Sequence, residues 1–123
     1  MAYLNDRVLD NGLTVLDTEA SHLYITSAEA TTYTQAATTY ALGVKATPTV
    51  GAPAARAPSG RKVTVSAITD GTVSATGTAS HYALVDQTNS RLLAAGPLGA
   101  SQAVTSGNTF TLTAFDIGIP GPA

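Results

Sequence analysis

The chain has 123 residues, enough for one domain and its core and too few for two ordinary ones. Only 11% of residues are charged, against about 25% in an average protein. A net charge of −2 speaks against a nucleic-acid binder, and the lack of cysteine removes disulfides, thiol nucleophiles and Cys-ligated zinc.

The first element spans YLNDRVLDNGLTVLDTEA, residues 3–20. Leu9, Leu13 and Leu16 recur at helical spacing, with Ala20 one turn on. The competing reading makes Asn11-Gly12 a type I′ turn between RVLD and LTVL. A lone hairpin of such short strands is marginal, so the helix is favoured despite the cost of Gly12. SHLYITS, residues 21–27, reads as a strand with Leu23 and Ile25 on one face. His22, Tyr24 and Thr26 take the other. In TTYTQAATTYALG, residues 31–43, Thr32 or Thr34 is expected to cap one helical turn through Gln35-Ala36-Ala37. Tyr40 and Leu42 then extend, and Gly43 is expected to end that element.

Residues 46–62, ATPTVGAPAARAPSGRK, hold Pro48, Pro53 and Pro58 and read as an extended arm or long loop. Arg56, Arg61 and Lys62 gather half the chain's cations there. They mark either a solvated loop or a contact for an acidic partner. From Val63 to residue 117 a β-meander is expected: VTVSAI, a turn at Asp70-Gly71, TVSATG, then SHYALVD. In SHYALVD, Tyr82 and Leu84 oppose Ala83 and Val85, as in a strand covered on both sides. QTNS, residues 87–90, is a turn; RLLAAG runs back; GPLGAS turns again. SQAVT, Ser106-Gly107-Asn108 and TFTLTAF are expected to form a closing hairpin. The tail 118–123 has nothing to hold it in a sheet. The whole reads as mainly β, an antiparallel β-sandwich or barrel with a short N-terminal α-helix.

Chemistry is sparse. The histidines, His22 and His81, each follow a serine, but neighbours on a strand point to opposite faces. A set built from Ser80, His81 and Asp86 lacks any nucleophile-elbow signature. No zinc, calcium or phosphate-loop spacing is present, so neither a metal nor a cofactor is expected. The segment DQTNS carries alternate oxygens yet lacks the later acidic ligand of a calcium loop. Tyr24, Tyr33, Tyr40 and Tyr82 supply a conceivable sugar platform, although strand tyrosines more often pack at a core edge. No stretch approaches the length of a membrane span, and the N-terminus lacks the apolar run of a secretory signal.

Two stretches carry a resemblance: LDNGLTVLDTEASHLYITSAEATTYTQAATTYALG, residues 9–43, and GTASHYALVDQTNSRLLAAGPLGASQAVTSGNTFTL, residues 77–112. Together they resemble small virion proteins of tailed bacteriophages, commonly capsid decoration or cement proteins. In similar proteins a short helix precedes a strand, and a proline often stands where this chain has Ala30. The resemblance implies a non-enzymatic protein on the capsid exterior, made in the host cytoplasm. It implies the major capsid protein and other copies of itself, as dimer or trimer, as partners, with no nucleic acid and no membrane. The alternative is a carbohydrate- or receptor-binding module of a tail or head fibre. Expected contact segments are residues 2–7, 46–62 and 117–123, with Tyr3, Arg56, Arg61, Lys62, Pro120 and Pro122 as contact residues.

Overall fold

A computed structural model describes residues 6–57 and 59–119 of the chain, with side chains from residue 10 onward. Helix α1 runs Asp6–Glu19. The strands are β1 His22–Thr26, β2 Ala41–Ala46, β3 Ala54–Ala55, β4 Arg61–Val65 and β5 Ile68–Val73. They continue as β6 Gly77–Asp86, β7 Arg91–Val104, β8 Thr109–Leu112 and β9 Phe115–Ile119. A six-stranded antiparallel half-barrel has the order β7-β6-β1-β2-β5-β8, and a small sheet has the order β3-β4-β9. The mainly β class with a short N-terminal helix is therefore correct.

Helix wins over hairpin at the N-terminus because it has something to lie on. Leu13 and Leu16 sink into the core, and Arg61 on β4 grips the Asp10 carboxylate at 2.7 and 3.4 Å. Thr14 and Thr18 return their hydroxyls to the carbonyls one turn back, at 2.7 and 3.0 Å. Gly12 faces Ile119, leaving ordinary contact distance for the strand beneath.

The main core lies between the half-barrel and a cover made of α1 and the small sheet. Leu23, Ile25, Leu84 and Phe110 enter it from the large sheet, and Val63 and Val65 from β4. A second, smaller cluster sits on the opposite face, where Ala83 and Val85 lie under Ala30 and Ala36. Strand β6 is thus covered on both sides, as its mixed faces predict. The cover on that second face is a π-helical turn, Gln35–Thr39. Thr32 Oγ1 accepts the Gln35 N–H at 3.2 Å, and the Gln35 side chain reaches back to the Thr31 N–H at 2.8 Å. The pattern is that of a capping box, except that the return bond falls on Thr31, one residue before the capping threonine. Thr34 contributes no side-chain cap, and the turn closes wide, with the Tyr40 N–H on the Gln35 carbonyl at 2.8 Å.

Several expectations need correction. Gly43 does not end an element; β2 passes through it to Ala46. Asp70-Gly71 is not a turn either, but the middle of β5, where the ladder with β8 slips between Ile68 and Gly71. Both glycines have the same cause. The Phe110 ring lies against them, and a Cβ at Gly43 would meet the Thr72 carbonyl at 2.7 Å and the ring at 3.1 Å. Residues 63–117 are not a meander, because β4 leaves for the small sheet and β1 inserts beside β6.

The segment 46–62, expected as an extended arm or long loop, is tied to the body of the fold at Val50, at β3 and at β4. Val50 is buried and bridges Val65, and β3 folds back on β4 by pairing Ala54 with Lys62. The start of the expected tail is also held. Gly118 and Ile119 pair with Lys62 and Arg61, and Ile117 and Ile119 pack against the core. GPLGAS does not turn the chain: β7 continues, bulging by Leu98–Ser101 opposite the single residue Ser80. Finally, β7 and β8 form no hairpin ladder, since they stand at opposite ends of the strand order.

Candidate functional site

A concavity lies where the half-barrel stays open. Strand β7 leads through residues 105–108 into β8, and from that turn the two edges splay apart. Where a ladder would stand, a side chain reaches across: Gln102 Nε2 donates to the Thr111 carbonyl at 2.8 Å. Beyond that bond a cleft of about 570 Å³ opens, lined by Ile68, Tyr82, Leu98, Leu112 and Phe115 among others. The Tyr82 and Phe115 rings in its lining pack against each other with centroids 4.4 Å apart and a tilt of 41°. Burial pushes the Tyr82 phenol above its ordinary pKa. Thr111 and Thr113 add polar edges, and no lining residue carries a charge.

The serine–histidine pairs correct one expectation. Adjacent residues do meet: Ser80 Oγ lies 2.7 Å from His81 Nδ1, and Ser21 Oγ lies 3.0 Å from His22 Nδ1. Each hydroxyl also donates to a carbonyl, Ser80 to Ser27 at 3.1 Å and Ser21 to Val85 at 3.3 Å. A hydroxyl has one proton to give. With that proton on a carbonyl, the ring nitrogen donates to the hydroxyl. An activated nucleophile needs the opposite polarity. The stretches SHLYITS and SHYALVD prove to be neighbours. Strands β1 and β6 pair antiparallel with His22 opposite Val85 and His81 opposite Thr26, so the pairs stand at opposite ends of one ladder.

The four tyrosines separate. Tyr24, Tyr33 and Tyr40 gather at the smaller cluster, while Tyr82 belongs to the cleft on the other face. His22 stacks near Tyr24 at 6.3 Å. Burial, and then the neighbouring Tyr33, raise the Tyr24 pKa.

The expected contact cations face their own chain. Arg61 binds Asp10, Lys62 binds Asp116 at 2.9 Å, and Arg56 donates to the Ser59 carbonyl at 3.0 Å. The structure therefore spreads the trio over three internal partners. Tyr3, Pro120 and Pro122 lie outside the described residues. Sequence reasoning missed the cleft residues Leu98, Gln102, Thr111 and Phe115. Only the uncharged run from Leu92 to Phe115 could have hinted at them.

Among the described residues no group of His, Asp or Glu is arranged to hold a metal ion, and no helix is long and apolar enough to cross a membrane. Asp86 anchors the QTNS turn: its carboxylate accepts Asn89 Nδ2 at 2.7 Å and the Asn89 N–H at 3.3 Å. The Asn89 side chain first, then backbone donors and Arg91, hold its pKa below the ordinary 3.8. Lys62 and Thr64 do the same for Asp116. A carboxyl with a lowered folded pKa adds stability above its unfolded value and loses it as pH falls through the folded value. Melting temperature should therefore hold down to about pH 4 and decline below it. In Asn89→Ala the decline should be shallower, measured by thermal unfolding from pH 6 to pH 2.

No protein-family model, curated protein or solved structure matches the chain.

Proposed function

We propose that the chain is a structural virion protein of the tailed-phage capsid decoration type. It binds the outer shell, covers seams between major capsid subunits and sits beside further copies of itself. The observation that carries this reading is the fate of the charges. All five cations with described side chains meet partners within the chain: Lys45–Asp70, Arg61–Asp10, Lys62–Asp116 and Arg91–Glu19 as ion pairs, and Arg56 on a carbonyl. What is left outward is largely Thr, Ser, Ala and Gly. Ala and Gly lose little or no side-chain entropy when a contact orders them, whereas Lys or Glu lose up to about 2 kcal/mol each. A neutral surface of this kind suits broad adhesion repeated over many sites, where modest contacts add by avidity. The resemblance of residues 9–43 and 77–112 to such virion proteins supports the same reading.

The test is heat rupture of capsids assembled with and without the protein. Shells lacking it should rupture several degrees lower, and purified protein should restore them. Unchanged rupture together with no binding to shells removes the proposal.

The convergence of Tyr24, Tyr33 and Tyr40 beside His22 favours a second reading, a sugar- or receptor-binding module of a fibre. A glycan array separates the two. Saturable binding lost in Tyr33→Ala and Tyr40→Ala supports the module; an empty array leaves the decoration role.

A further inference from the structure

We infer that the open seam between β7 and β8 is a receptor for an extended, uncharged peptide segment of a partner protein, taken up as an added strand. Phe110 pairs with Gly71 and Leu112 with Ile68, so β8 shows β5 one edge and the seam the other. The Thr111 carbonyl points to that second edge, where the Gln102 side chain holds it across the gap, and an incoming backbone would have to take the place of that side-chain bond. An edge of alternating donors and acceptors is matched best by another backbone.

The side chains then set the chemistry of the guest. The cleft beside that edge is about 570 Å³, within the range of about 300–1,000 Å³ typical of binding pockets. Its lining includes the Tyr82–Phe115 ring pair and Leu98 on the bulge. An added strand places every second side chain on one face. Apolar residues at alternate positions would fill this cleft while the rest face outward.

Charge selects further. From Leu92 to Phe115, which takes in β8 and all of β7 after its first residue, Arg91, the sequence has no charged residue. A charged guest would give up solvation with no counter-charge to receive it. Exposed edges are commonly guarded by lysine, proline or a bulge. Here Pro97 and the Leu98–Ser101 bulge blunt β7, whereas β8 has no such guard. The guest is therefore a slender segment lying along β8. A second folded copy does not fit, because this chain walls the gap on both sides.

The experiment uses the full-length chain in two-dimensional amide NMR and involves no capsid, so its outcome is independent of the shell-rupture test. The probes are acetyl-Thr-Val-Thr-Val-Thr-amide, acetyl-Thr-Lys-Thr-Glu-Thr-amide and benzene. The neutral peptide should produce saturable shifts at Leu98–Gln102 and Thr109–Thr113, and the charged peptide should bind at least tenfold more weakly. Leu98→Lys should weaken the neutral peptide tenfold or more; if that variant unfolds, Ala100→Lys on the exposed bulge serves instead. Absence of saturable shifts with the neutral peptide overturns the proposal, as does equal binding of the charged one. Benzene alone reproducing the shifts would mean a small apolar ligand. The same shifts appearing merely on concentrating the protein would mean self-association. Either result also overturns the proposal.

Discussion

Gly71→Ala should destabilise the protein by about 3 kcal/mol, the upper part of the usual range for overpacking a filled core. The new methyl would overlap the Phe110 ring, which is 2% exposed and cannot swing out without abandoning the core. Backbone retreat is equally restricted, because β5 is paired on both sides, to β2 and to β8. In a domain of this size the expected fall in melting temperature is roughly 10 °C. Phe110→Ala alone should cost about 3–5 kcal/mol through the cavity it leaves. The decisive measurement is the double variant. Once the ring is gone, the alanine at position 71 has room, so the combined loss should fall short of the sum by about 2 kcal/mol. Strict additivity in chemical denaturation would mean that ring and glycine do not touch.

The second large effect is expected from Leu84→Ala. Leu84 is fully buried and sits on β6, between β1 and β7. Its neighbours Ala83 and Val85 are pinned by the cluster on the reverse face, so β6 cannot shift to close the void. A loss of about 3–4 kcal/mol follows from the general cost of leucine truncation at sites that collapse poorly. Leu92→Ala, on an edge strand and only half-buried, should cost about 1 kcal/mol. Equal losses for the two, read from urea midpoints at unchanged slope, would contradict the two-sided cover of β6.

What could be read in advance followed local physics. The helical spacing of Leu13 and Leu16, the alternation in SHLYITS and the double-faced pattern of SHYALVD reflect burial within each element, so the residues themselves record it. What could not be read depended on distant partners. Asp70-Gly71 has the composition of a turn, and only the Phe110 ring, far along the chain, makes it a strand interior. GPLGAS likewise has turn chemistry and instead became a bulge, because Gln102 resumes pairing with Ala79. The proline-rich segment 46–62 reads as an extended arm or long loop because its prolines exclude an inner strand. Val50 nevertheless supplied enough apolar burial to tie it down. The cleft was the least legible part. It arises from a ladder that fails to close between two strands, and no single stretch of sequence encodes a missing contact. The cations illustrate the same limit: their clustering in sequence was plain, but Asp10 and Asp116 were invisible as destinations.

The pairing of β1 with β6 also has a consequence for biosynthesis. His22–Thr26 must wait for His81–Val85 to be translated, some 60 residues later. At ~5–20 residues per second the ribosome needs about 3–12 s to deliver them. Through that interval one side of a strand rich in β-forming residues stands open to other nascent chains. Contacts this distant along the polypeptide also slow folding relative to local ones. High-level production should therefore be limited less by the strength of the finished fold than by how quickly its C-terminal half arrives.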